Sequence, residues 1–220
     1  MARTLIVGAS GGIGGALVHT LQGRGESVSA LSRSVDGLDV TDEQSVTGCL
    51  GRLDGAFDRI IVATGALSGG GRGPEKTLKS LDPVAIAGQF ALNATGPALV
   101  LKHALRLMPR DRRSVFAALS ARVGSIGDNR LGGWYSYRAT KAALNQLIHT
   151  AAIEVARSHR QAICVTLHPG TVATAFTKGY PDHARLAPQE AAKSLLSVMD
   201  GLSTADTGGF FDWAGKPVAW

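Results

Sequence analysis

Residues 3–14 read Arg3-Thr-Leu-Ile-Val-Gly8-Ala-Ser-Gly-Gly-Ile-Gly14. Leu5, Ile6 and Val7 form the short apolar run of a buried strand, and a glycine-rich segment follows it. Next comes helical spacing from Gly15 to Gln22, where Ala16, Leu17 and Leu21 share a face. Gly23 and Gly25 predict the end of that helix. The glycine spacing is Gly8-x-x-x-Gly12-x-Gly14. Gly8 permits a tight turn where a side chain would clash. Gly12 and Gly14, with Ile13 between them, let backbone approach a pyrophosphate at a helix N-terminus, where N–H groups are unpaired and the dipole is positive. Ser10 offers a further hydroxyl. No Gly-Lys-Ser/Thr follows, so this is not a Walker phosphate loop. A plain connecting turn has the same glycines; the strand–loop–helix setting favours dinucleotide binding.

The alternation continues outward from this unit. Val28-Ser-Ala-Leu31 reads as a second strand, and Leu38-Asp-Val40 as a short third strand after a turn at Asp36-Gly37. Thr41 or Asp42 caps a helix to about Leu53. Arg59-Ile-Ile-Val-Ala63 is the fourth strand, ending in Thr64-Gly65 and a loop with Gly69, Gly70, Gly71 and Gly73 that is expected to be mobile. Asp82-Pro83 opens a helical stretch to about Met108, which Gly96-Pro97 is predicted to kink or divide. Ser114-Val-Phe-Ala-Ala-Leu119 is the fifth strand, and a helix runs from about Trp134 to Ser158. Ile163-Cys-Val-Thr-Leu167 is the sixth, stopped by His168-Pro-Gly170. Pro188-Gln-Glu190 begins a last helix and Gly209-Phe-Phe211 a last strand. The expected fold is a single doubly wound Rossmann-type α/β domain over residues 1–220. It has a parallel sheet of about seven strands with helices on both faces.

Composition narrows the function. Hydrophobic residues make up 45% of the 220-residue chain and charged residues 18%, which excludes a disordered chain. No apolar run approaches the roughly 18 residues of a membrane span, so no membrane partner is expected. The net charge of +6 is scattered, with one cluster at Arg110-Asp-Arg-Arg113. Without interleaved aromatics it predicts no nucleic-acid partner. Cys49 and Cys164 lack metal-ligand spacing, and no metal is expected. With the first strand starting at residue three, no signal or transit peptide is expected, and a cytoplasmic location is.

Two further features point to chemistry. At Ser32-Arg33 the second strand ends without the carboxylate that would bind an adenosine ribose. Ser32 can bond a phosphate and Arg33 can grip one with a charged fork, which predicts NADP(H) over NAD(H). Tyr137-Arg-Ala-Thr-Lys141 puts a phenol and an ammonium at i and i+4, on one helix face. A nearby cation favours phenolate, and such a tyrosine can protonate a carbonyl oxygen as hydride arrives. Tyr135 and Tyr180 have alanine four residues on and fail this test.

With these residues in place, the chain resembles the short-chain dehydrogenase/reductase family over nearly all its length. Gly8 to Gly14 matches the family's cofactor loop, and Leu38-Asp-Val-Thr41 its adenine-side segment, which implies contacts from Asp39 and Val40. Ala63, Thr64 and Gly65 stand where the family has Asn-Ala-Gly. Asn93 matches the helix asparagine, Tyr137 and Lys141 the catalytic pair. His168-Pro169-Gly170-Thr-Val172-Ala-Thr174 resembles the segment that holds the nicotinamide carboxamide. The stretch from Gly124 to Asn145 is similar to the C-factor-like and sniffer-type carbonyl reductases. The resemblance implies reversible NADP(H)-dependent reduction of small to medium aldehydes or ketones. Lys141 would hold ribose hydroxyls and Asn93 would support a proton-relaying water. The family serine aligns on Ala121; Ser120 is the assigned substitute and Ser125 the other candidate.

Other readings stay open. One is a nucleotide-binding sensor with little turnover. Another is a 3-oxoacyl-carrier-protein reductase, the acidic carrier docking on Arg110, Arg112 and Arg113. Phe176 and Tyr180 are the expected apolar anchors of a short substrate lid. His168 sits at a strand end near the expected site, whereas His19, His103 and His149 lie in predicted helices. Ala142, Ala143 and Ala151 suggest close helix packing, and the family resemblance implies a homodimer or homotetramer.

Overall fold

A computed structural model of the chain describes residues 1–68, 73–179 and 185–220. Gly69, Gly70, Gly71 and Tyr180 therefore lie outside the described residues. The strands are β1 (Arg3–Val7), β2 (Ser27–Leu31), β3 (Arg59–Val62), β4 (Ser114–Leu119), β5 (Ala162–His168) and β6 (Phe210–Asp212). They form one all-parallel sheet in the order β2-β1-β3-β4-β5-β6. The helices are α1 (Gly12–Gly23), α2 (Arg33–Asp36), α3 (Glu43–Gly51), α4 (Pro83–Phe90), α5 (Gly96–Ala104), α6 (Tyr135–Ser158) and α7 (Pro188–Gly201).

The strands are apolar throughout because both faces of the sheet are covered. Side chains alternate between the faces with a period of two. Leu5, Val7, Ile60, Val62, Phe116 and Cys164 face α3, α5 and α6. Ile6, Ile61, Val115, Ala117, Ile163 and Val165 face α1 and α7. Ala143 and Ala151 of α6 are partly buried against the first of these two cores.

The described sheet has six strands, not seven, and the difference lies at Leu38-Asp-Val40. Leu38 and Val40 are buried as a strand pattern requires. Their backbone makes no ladder. Leu38 N–H donates to the Ser32 carbonyl at 3.2 Å, and Asp39 N–H to the Ser45 hydroxyl at 2.9 Å. The turn expected at Asp36-Gly37 contains the short α2, with Gly37 closing it at φ +71°. Asp42, not Thr41, caps α3.

Gly96-Pro97 does not break its helix. A π-helical turn, Ala91–Thr95, joins α4 to α5. Gly96 N–H donates to the Ala91 carbonyl five residues back. Pro97 has no N–H to give the Asn93 carbonyl, and the wider turn accommodates its ring. The continuous helix Pro83–Leu107 is long and apolar enough to cross a bilayer, with a mean hydropathy of 1.4 over its best window. This corrects the composition reading. Here it lays Val100, Leu101 and Ala104 against the sheet.

Candidate active site

A cavity of about 560 Å³ opens at the carboxyl ends of the strands. Its walls are the start of α1 (Gly11, Gly12, Ile13), the segment 63–68 after β3, Leu119 to Ala121 of β4 and its exit, and Tyr137 and Lys141 of α6. His168, Pro169, Gly170, Val172 and the segment 174–177 close the far side. It lies outside the strand ends, beside the point where the chain turns from β2 back across β1 to β3, the place where doubly wound sheets hold ligands.

The glycine loop fits a dinucleotide by close approach. Gly8 has φ +91°, and a Cβ there would stand 2.9 Å from the Ala63 backbone. A Cβ on Gly14 would collide with the Gly8 carbonyl, and one on Gly12 would stand 2.5 Å from the Thr174 methyl. No side chain caps α1, so its first-turn N–H groups are left for a ligand. Ser10 is exposed and outside the cavity wall. The Thr64 hydroxyl is buried and lacks a partner.

At the end of β2 the geometry corrects one assignment. The Ser32 hydroxyl accepts from Val35 N–H at 3.3 Å and donates to Asp36 at 3.4 Å, so it caps α2 and is not free for a phosphate. Asp36 also accepts from the Ser32 N–H at 2.7 Å. Arg33, the first residue of α2, is exposed. The Asp39 carboxylate accepts from the Thr41 hydroxyl at 2.6 Å and its N–H at 2.9 Å. These bonds, aided by the Arg33 charge, hold it below the usual carboxylate range.

Tyr137 and Lys141 lie on the same buried face of α6. Lys141 donates from Nζ to the Leu119 carbonyl at 2.8 Å and stands 5.9 Å from the Tyr137 ring centre. Burial drives the Lys141 amine down to about 7 and pushes the Tyr137 phenol up. The expected lowering of the phenol by the cation is thus outweighed in this site by desolvation. The tyrosine ring is held between Trp134 at 6.3 Å and Phe176 at 5.8 Å.

Of the two serine candidates, only Ser120 joins these groups in the cavity wall. Its N–H donates to the Leu167 carbonyl at 2.8 Å, and its hydroxyl is buried without a partner. The Ser125 hydroxyl instead accepts from Asp128 N–H at 3.1 Å and donates to the Trp220 carbonyl at 3.5 Å, tying a loop to the end of the chain. Asn93 is fully buried, outside the cavity wall. Its amide accepts from Ala66 N–H at 2.9 Å and donates to the Ala66 carbonyl at 2.8 Å and the Thr140 hydroxyl at 3.3 Å. The side chain therefore fixes the segment after β3 against α6. Gly65, at φ +152°, passes between Asn93 and Lys141: a Cβ there would be 3.1 Å from Asn93 Oδ1 and 3.5 Å from Lys141 Nζ.

One supporting group escapes sequence reasoning. Glu75, buried, accepts from the N–H of Ser136 at 3.2 Å and from its hydroxyl, and the Glu75 carbonyl accepts from Trp134 N–H at 2.5 Å. It anchors the first turn of α6, where Trp134 sits at φ +53°. The pairing spans 61 residues, so no local spacing announces it. The basic cluster proves remote. Arg112 pairs with Asp58 at 3.1 Å, and Arg113 donates to the Met199 and Leu202 carbonyls. Both precede β4, so a carrier docked there would stand at the amino ends of the strands, one six-residue strand or about 20 Å from the site. Among the described residues no group of His, Cys, Asp and Glu is arranged to hold a metal.

Comparison with known proteins identifies the family. The family profile described as enoyl-(acyl carrier protein) reductase matches residues 8–201. The chain is 31% identical to 1-hydroxy-2-glutathionyl-2-methyl-3-butene dehydrogenase of Rhodococcus sp. strain AD45, over all of both chains. It is 34% identical to C-signal of Myxococcus xanthus over 65% of this chain and 83% of that protein. Among solved structures, a short-chain dehydrogenase/reductase of Burkholderia multivorans with bound NADP superposes with a TM-score of 0.82 at 26% identity. That match covers 100% of this chain and 99% of the other. The chain belongs to the short-chain dehydrogenase/reductase family, and it is an oxidoreductase of that fold.

Proposed function

We propose that the protein is an NADP(H)-dependent reductase of small to medium aldehydes and ketones, reversible toward the alcohols. The observation that carries this reading is one cavity that gathers a buried tyrosine, a buried lysine and an unpartnered serine hydroxyl beside an uncapped helix N-terminus. The bound NADP in the Burkholderia relative supports the choice of cofactor. So does the exposed Arg33 at the start of α2. When bound, the nicotinamide supplies or accepts the hydride.

The chain's own residues do the rest. The first turn of α1 and the close-packed glycines receive the pyrophosphate. Ser120 donates to the substrate oxygen, and Tyr137 gives that oxygen its proton. Lys141 binds ribose hydroxyls and, where it is charged, favours the phenolate. Asn93 orders the loop beside Lys141, and a water at its backbone carbonyl would carry protons onward.

The reading is tested by mixing the protein with NADPH or NADH and a panel of aldehydes and ketones, following loss of absorbance at about 340 nm. Turnover with NADPH that disappears in Tyr137→Phe is expected. Tight NADPH binding with no turnover across the panel would turn the reading toward a sensor.

A further inference from the structure

We propose that His168 contacts substrate and selects carbonyl compounds that carry a second, uncharged oxygen function on the adjoining carbon. This rests on the reductase reading above. His168 is the last residue of β5 and shares the cavity wall with Ser120, Tyr137 and Lys141. Leu119 of β4 pairs with Leu167 of β5, so Ser120 and His168 leave adjacent strands at the same level. Parallel strands are about 4.8 Å apart. A substrate whose carbonyl oxygen meets Ser120 therefore presents its neighbouring carbon to His168.

The ring is built to receive a partner. Its Nδ1 is buried and has no hydrogen bond. A buried polar nitrogen left unpaired is costly, and a ligand that pairs it recovers that cost. Pro169 restricts the His168 backbone to the extended region, and Gly170 follows at φ +79°. Among the described residues no carboxylate hydrogen-bonds it. Its register partner Asp212 receives Arg122 at 2.9 Å and the N–H groups of Ala214 and Lys216 at 2.9 and 3.0 Å.

Burial and the Arg122 charge push the imidazole down to about 4, with Asp212 acting in the opposite sense. At neutral pH the ring is therefore an uncharged donor and acceptor. That suits an ester, hydroxyl or second carbonyl oxygen and offers no cation to a carboxylate. Leu119, Val172 and Phe176 add apolar surface to the same wall.

The test compares ethyl 2-oxobutanoate with 3-heptanone, a ketone of matching chain length without the ester. The ratio of their kcat/KM values with NADPH is measured for the wild type, His168→Leu and His168→Gln, each checked for folding by its melting curve. We expect the ratio to fall at least fivefold in His168→Leu and to recover in His168→Gln, whose amide still hydrogen-bonds. Loss of a built hydrogen bond changes discrimination on the order of tenfold or more.

A fall of less than fivefold in His168→Leu overturns the inference and leaves the reductase reading standing. If wild-type protein turns over neither compound but reduces others of the panel, the inference is overturned; if it reduces none of them, the reductase reading fails as well. Should His168→Leu not fold, calorimetry on the NADPH-saturated wild type decides. Ethyl 2-hydroxybutanoate must then bind at least fivefold more tightly than 3-heptanol, and equal affinities overturn the inference.

Discussion

Tyr137 and Lys141 stand four residues apart on a helix, and burial acts on both in opposite senses. Between about pH 7 and 9 the unfolded chain carries a proton on Lys141 that the folded chain does not, so stability rises with pH across that window. The slope is at most about 1.4 kcal/mol per pH unit. Above about pH 9 the raised Cys164 thiol offsets the rise, and above pH 10 the raised Tyr137 phenol reverses it, because the unfolded chain then loses protons that the folded chain keeps. Urea unfolding at several pH values checks this: Lys141→Met should flatten the rise, and an unchanged slope would contradict it. The two serines separate by kinetics. Ser120→Ala should lower kcat about 10²–10³-fold, the usual cost of one lost oxyanion donor. Ser125→Ala should leave kcat within about threefold, since its hydroxyl only ties a loop. The Tyr–Lys pair was legible because helical spacing is local. Glu75 and the Ser32–Asp36 cap were not, the first because its partner is distant in the chain and the second because a capping serine and a phosphate-binding serine look alike in sequence.

At the scale of elements, α1 meets β1 through glycines that are not equivalent. A Cβ on Gly14 would collide with the Gly8 backbone, whereas one on Gly15 would sit 3.4 Å from the Ala9 carbonyl. Gly14→Ala should therefore cost about 1–3 kcal/mol and abolish NADPH binding. Gly15→Ala should be neutral or gain up to about 1 kcal/mol from helix propensity. Thermal melts with and without NADPH distinguish the two. Strand and helix positions were readable because each alternation of Leu5, Ile6 and Val7 has a core on each side to fill. The error at Leu38-Asp-Val40 has the same origin. The side chains do face inward, yet burial periodicity says nothing about where backbone N–H groups go, and these go to Ser32 and Ser45. The helix around Pro97 shows a third limit. Local rules predict a kink, and a π-helical turn at Asn93 absorbs it.

For the whole molecule, the parallel strands set the site at their carboxyl ends and the cluster Arg110, Arg112 and Arg113 at their amino ends. Charge near the site should instead act on cofactor choice. Arg33→Ala should weaken NADPH binding about tenfold and leave NADH binding within about twofold, as expected for one charged contact with a phosphate. Fluorescence titration with both cofactors measures it, and equal losses for both would remove Arg33 from phosphate recognition.

The most direct measurement is a single turnover of NADPH-loaded protein with ethyl 2-oxobutanoate, comparing wild type with Tyr137→Phe. The account predicts the same cofactor affinity in both and a hydride-transfer rate at least about 10²-fold slower in the variant, the scale of a lost general acid. A Tyr137→Phe protein that transfers hydride at the wild-type rate would contradict it.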